Sequence, residues 1–190
     1  VYTYRCAVCG KQYTKTVAYY KASNIKLNKT AYTYNGKVQK PSVTVKDSKG
    51  KALKSTDYKI SYPKGMKNVG KYTVKVTLKG NYSGSKSMTY NINPKGTSLS
   101  KVTAAKKGFK VTWKKQATQT TGYQVQYSTD KNFKKGNKTV TVKGAKTTAK
   151  TISKLTKGKK YYVRVRTYKT VNKTNFYSGW SKSSSVTVKK

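Results

Sequence analysis

The sequence predicts an all-β protein built as two tandem antiparallel β-sandwiches. Three observations carry that expectation. Apolar residues recur at every second position in short runs, which is how a half-buried strand presents one face to a core. Clusters rich in Gly and Asn, residues that tolerate positive φ, separate those runs. No stretch of ten or more residues carries an apolar stripe of helical period.

Taken in order, residues 1–21 read as the C-terminal remnant of a preceding Cys-containing segment. Residues 22–94 read as the first sandwich. In Tyr72–Lys79, Val74, Val76 and Leu78 face one way, and Thr73, Lys75, Thr77 and Lys79 face the other. Turns are placed at Asn35-Gly36, at Asp47–Gly50 and at Lys79-Gly80-Asn81. The run Asn93-Pro94-Lys95-Gly96 breaks pairing and serves as a linker. Residues 95–190 read as the second sandwich, with alternating strands at Phe109–Lys114, Tyr123–Tyr127 and Tyr161–Arg166. Its turns fall at Lys107-Gly108 and Lys157-Gly158. Each set is long enough to bury one modest core.

Composition excludes most enzyme chemistry. There are 44 Lys+Arg against 3 Asp+Glu, a formal net charge of +41, and no His. The acids are Asp47, Asp57 and Asp130, scattered singly, so no carboxylate pair and no His base is present for acid–base or nucleophilic catalysis. The chain is therefore expected to bind or to build, with no catalytic residue and no cofactor. High charge with 34% apolar residues would by itself favour disorder, but 12% aromatics in periodic positions oppose it. No apolar run is long enough to insert into a membrane, and no stretch reads as a signal peptide.

Several motifs carry resemblances. Val111-Thr112-Trp113, Gly122–Tyr127 and the corner Leu155–Val165 resemble the second, third and sixth strands of a fibronectin type III domain, a likeness covering residues 98–190. That resemblance implies a core role for Trp113 and a hydroxyl of Tyr161 bound back to backbone. Tyr127–Phe133 and Tyr177-Ser178-Gly179-Trp180-Ser181 resemble versions found in secreted proteins of Gram-positive gut anaerobes. Tyr32–Lys37, Thr56-Asp57-Tyr58, Asn68-Val69-Gly70 and Gly80–Gly84 resemble a bacterial immunoglobulin-like repeat over residues 25–93. Together they imply an immunoglobulin-like sandwich followed by a fibronectin type III-like one, in a module that is extracellular, secreted or attached to the cell wall. Such modules sit beside adjacent domains of a parent protein.

Three sets of residues are candidate sites. Cys6 and Cys9 make half of a zinc-ribbon pattern, two of the four ligands a structural zinc needs; the alternative is a pair of free or mutually oxidised thiols. Tyr162, Arg164, Arg166 and Tyr168 share the outward face of one strand, and the fibronectin type III topology that the resemblance implies sets Gln124 and Gln126 facing the same way on its neighbour. That composition suits sugars or carboxylates, or plain cross-strand pairing. Trp180 is expected at a sandwich edge or against a neighbouring module. Finally, only Arg5, Arg164 and Arg166 among the 44 basic residues are arginine. Base-specific nucleic-acid readers favour the bidentate arginine fork, so the diffuse lysine charge points to nonspecific, salt-dependent contact with anionic cell-wall or host glycan polymers. The chain is expected to act as a non-catalytic structural or adhesive module of a bacterial surface protein, spacing a neighbouring domain. The alternative is a carbohydrate-binding accessory module of a secreted enzyme.

Overall fold

A computed structural model describes residues 2–15, 20–21 and 24–189. Within them the chain is all-β, with one turn of 3-10 helix at Ser55–Asp57. No helix among the described residues is long and apolar enough to cross a membrane. The chain forms two compact units. The first is Val1–Thr30, Lys40–Lys64 and Tyr72–Tyr90; the second is Ala31–Gln39, Gly65–Lys71 and Asn91–Lys190.

The first ten strands are β1 (Tyr2–Arg5), β2 (Gln12–Lys15), β3 (Tyr20–Lys21), β4 (Asn24–Leu27), β5 (Ala31–Thr33), β6 (Val43–Lys46), β7 (Tyr58–Ser61), β8 (Gly70–Leu78), β9 (Tyr82–Ser83) and β10 (Ser85–Asn93). In the first unit β1 and β2 form a hairpin, and β4 runs antiparallel to β6 and β7 to β8. The alternation read in β8 holds, because Val74, Val76 and Leu78 are buried while the intervening Thr73, Lys75 and Thr77 are exposed. Val76 and Leu78 pack with Ile25 and Val45 into one core. The pairing is not wholly antiparallel: β3 runs parallel to β9, and β5 runs parallel to the end of β10.

The remaining strands are β11 (Leu99–Ala105), β12 (Gly108–Trp113), β13 (Gly122–Ser128), β14 (Lys138–Lys143), β15 (Ala149–Ile152), β16 (Lys160–Val171), β17 (Thr174–Tyr177) and β18 (Ser184–Thr187). They build a sandwich in the second unit. One sheet has the order β11-β12-β15; the other runs β14-β13-β16, with β17 and β18 both beside β16. The inward residues meet between the sheets: Phe109, Val111 and Trp113 from β12, Tyr123, Val125 and Tyr127 from β13, Val163 and Val165 from β16, all buried.

Two local features differ from the sequence reading. At Lys107-Gly108 it is Lys107 that takes the left-handed conformation, φ 53°. Gly108 is required for another reason, since a Cβ there would overlap the Ile152 carbonyl oxygen of the paired strand β15. The corner before β16 is closed by backbone bonds, Leu155 N–H to Lys107 O (2.9 Å) and Gly158 N–H to Val188 O (2.9 Å). Tyr161 contributes its ring, against Phe109 and Tyr127. The tyrosine hydroxyl that binds backbone in this core belongs to Tyr123, which donates to Ala145 O (2.8 Å) and accepts from Gln116 N–H (2.8 Å).

Candidate functional site

Strand β16 lies centrally in its sheet, so its outward residues are flanked on both sides. Cα register sets Gln126 opposite Arg164 and Gln124 opposite Arg166 on β13, and then Thr139 and Thr141 beyond them on β14. Each row becomes a relay. Arg164 donates from Nε (2.8 Å) and Nη2 (2.5 Å) to the Gln126 amide oxygen, and Gln126 Nε2 donates to Thr139 Oγ1 (3.0 Å). Arg166 donates from Nε (2.9 Å) and Nη2 (2.7 Å) to Gln124, whose Nε2 donates to Thr141 Oγ1 (3.3 Å). A charged donor strengthens each bond beyond a neutral one.

The flat faces of both guanidinium groups are covered by rings. Arg164 lies 4.0 Å from the Phe133 ring centroid and 4.8 Å from that of Trp180. Arg166 lies 4.3 Å from Trp180 and 4.0 Å from Tyr177. The result is an alternating stack, Phe133, Arg164, Trp180, Arg166, Tyr177. Each contact is worth about 0.5–1 kcal/mol at a partly exposed site. Burial pushes the pKa of both arginines down from the ordinary guanidinium value, and for Arg166 the Arg164 charge adds to the lowering while Tyr177 opposes it. Their Nη1 groups have no protein partner among the described residues.

Trp180 reaches this position because of the residues on either side of it. Between β17 and β18 the chain passes beside β16 without regular pairing, and two serines take over. Ser181 N–H donates to Val165 O (2.8 Å) and its hydroxyl accepts from Val165 N–H (3.0 Å). Ser178 treats Thr167 in the same way. Both edge groups of β16 are thereby satisfied where a strand is missing, and the side chain between them is turned onto the arginine face.

The structure brings Arg164, Arg166, Gln124 and Gln126 together as expected from the sequence, with Tyr162 half-exposed on the same face. Tyr168 corrects the expectation of an exposed residue. It is 5% exposed, because the Tyr177 ring lies tilted beside it and Gly122 leaves room for its ring. Phe133, Tyr177, Ser178 and Ser181 were not among the expected site residues. The only sequence signal for them is the Ser-x-x-Ser spacing around Trp180, which shows no strand-like alternation.

The three carboxylates serve turns. Asp47 Oδ1 accepts from the Lys49 and Lys51 amides (2.9 Å each), and Asp57 Oδ2 accepts from Lys54 N–H (3.2 Å). Asp130 accepts from Asn132 (2.9 Å), Lys134 (2.7 Å) and Lys135 (3.1 Å). In each case the carboxylate orders backbone amides, and lysine main chain supplies two of them at Asp47, one at Asp57 and two at Asp130.

At the other end of the chain, the β1–β2 hairpin carries Cys6 and Cys9 in its turn. Both are free thiols, Cys6 half-buried and Cys9 exposed. Hydrogen bonds from Cys9, first from its backbone and then from its side chain, hold the Cys6 thiol below its usual range, helped by the Val8 amide and opposed by desolvation. Among the described residues no group of three or more Cys, His, Asp or Glu is gathered as a metal cage.

Residues 93–187, which contain this arginine face, match the fibronectin type III domain. No curated protein matches the chain. Three solved structures are similar. A two-domain fibronectin type III segment of chicken tenascin is 19% identical with TM-score 0.49, over 88% of this chain and 99% of that one. The FN1-FN3 domains of chicken CNTN1 are 11% identical with TM-score 0.43, over 99% and 76%. A β-1,2-glucanase from Parabacteroides distasonis is 15% identical with TM-score 0.42; the likeness covers 63% of this chain and only 18% of the glucanase.

Proposed function

We propose, given that the chain belongs to the fibronectin type III family through residues 93–187, that it is a non-catalytic extracellular module of a bacterial surface protein. It spaces a neighbouring domain and holds the parent protein against anionic wall or host polymers. The observation that carries this reading is a net charge of +41 on a folded β scaffold whose three carboxylates are each engaged in capping a turn. Lysine is a hydrated point charge, so such a surface attracts polyanions by counterion release, without an address for any one of them.

The arginine face supports this division of labour. The Nε and Nη2 donors and both flat faces of Arg164 and Arg166 are occupied within the sheet, so their main work is to brace β16. The remaining N–H groups of the two guanidinium groups, on the same strand face as Tyr162, are left for a carboxylate or sugar, which is what favours the second reading, a carbohydrate-binding accessory module.

Binding of the purified chain to heparin, polyphosphate and an uncharged glycan at rising salt separates the two. The proposal expects comparable binding to both polyanions, with log affinity falling linearly against log salt, and none to the neutral glycan. Saturable neutral-glycan binding that persists at high salt, and is lost in R164Q/R166Q, would establish the accessory module instead.

A further inference from the structure

The turn between β1 and β2 is built unlike an ordinary hairpin turn, and its construction concerns sulfur. Cys6 N–H donates to Lys11 O (2.8 Å) and Gly10 N–H donates back to Cys6 O (3.0 Å), closing the loop around Cys6. Gly10 takes φ 66°, the left-handed conformation needed to bring its amide round. Inside this loop the Cys9 amide donates to Cys6 Sγ at 3.4 Å, so backbone already supports negative charge on that sulfur. That bond draws Cys9 back toward Cys6, so that both cysteines belong to the same closed turn. Arg5 crosses the turn and donates from Nε to Gly10 O (2.9 Å), so the turn also carries a positive charge.

Two cysteines separated by two residues in one closed turn, with an amide aimed at the first sulfur, suit a bidentate chelate for a soft tetrahedral cation. The chain holds two Cys and no His, so it supplies half of a four-ligand set. The turn is open to a partner: Cys9 is exposed, and Val8 at its tip is 97% exposed. We propose that Cys6 and Cys9 bind Zn2+ as thiolates, and that the same two residues of a second copy complete a four-thiolate site, joining two chains tip to tip. The thiol protons pass to solvent as the four Zn–S bonds form. Arg5 of each copy offsets the net negative charge of a zinc tetrathiolate, and the two Val8 side chains cover one another.

The test is a Co2+ titration of the reduced, full chain in half-molar salt, which screens the repulsion between two strongly basic chains. A thiolate-to-cobalt charge-transfer band with tetrahedral visible bands is expected, saturating near one metal per two chains. Sedimentation should show a dimer that appears with metal, persists when Zn2+ displaces Co2+, and reverts with a chelator. C9S should lose the band and the dimer together while its far-ultraviolet circular dichroism stays unchanged, since the turn is exposed. A titration without the charge-transfer band would overturn the site. Saturation at one metal per chain with no dimer would overturn the bridge between copies. Because the readouts are spectral and stoichiometric, they are independent of polyanion binding.

Discussion

Ser178 and Thr167 bind one another twice. The Ser178 hydroxyl accepts from the Thr167 amide at 3.1 Å, and the Ser178 amide donates to the Thr167 carbonyl at 3.1 Å. Thr167 is fully buried and Ser178 nearly so, so water cannot replace a missing hydroxyl there. S178A should therefore destabilise the fold by about 1–3 kcal/mol, the cost of an orphaned buried amide. S181A, at a half-exposed position where water can take the place of the hydroxyl, should cost less than S178A. Chemical denaturation of the two variants checks the order.

Trp180 is held between two cations rather than in the core. W180A removes two ring–guanidinium contacts and the cover they give, a loss of about 2 kcal/mol. R164Q and W180A should not be additive, because both dismantle the same stack; a double-mutant cycle measures the coupling.

Gly122 is fixed by contact. A Cβ there would overlap the Val142 carbonyl oxygen and press on the Tyr168 ring. G122A should cost about 1–3 kcal/mol through overpacking. G158A, where nothing stands near the added carbon but φ is 72°, should be destabilised only by the backbone penalty, about 1 kcal/mol. Thermal unfolding of both distinguishes crowding from conformation.

The Asp130 carboxylate is held below its usual range by the Asn132 and Lys134 amides first, with Lys135 adding and desolvation opposing. Its folded-state value is thus below the unfolded one, so its contribution is present above the unfolded value, about 4, and is lost as pH falls through the folded value. D130N should melt lower than the parent at pH 7, and the difference should close below about pH 4. A pH series of melting curves for the pair reads this out.

Trp113 is 2% exposed, yet its Nε1–H has no acceptor among the described residues. An unsatisfied buried donor costs about 1–3 kcal/mol, so removing it partly offsets the lost volume. W113F should lose less than about 2 kcal/mol, against about 3–5 for W113A. A W113F loss well above about 2 kcal/mol would mean that the indole N–H is bonded in solution.

The strands that build the second core were legible because their inward positions are apolar almost throughout, Thr167 on β16 being an exception. Phe109, Val111 and Trp113, then Tyr123, Val125 and Tyr127, announce themselves by alternation, and their register follows once one face must be buried. The same rule put Arg164 and Arg166 on the outward face, and the fibronectin type III resemblance put Gln126 and Gln124 on the neighbouring strand. It failed at Tyr168, whose burial on the outer face comes from β17, an edge strand with too few apolar residues to be seen. It failed again at Ser178-Gly179-Trp180-Ser181, where hydroxyls imitate backbone and leave no pattern. Phe133 was hidden in a turn, at φ 54°, a conformation that no apolar periodicity encodes.

Three carboxylates tied to turns have a consequence beyond local order. With no His, the chain lacks the side chain whose ordinary titration lies near neutrality, and its few acids are already committed to folding. Acidifying or alkalinising the surroundings within the mild range leaves the lysine field almost unaltered. For the polyanion contact proposed above, ionic strength is then the governing variable, so that a brackish or a dilute medium, rather than a sour one, would decide how firmly such a surface holds.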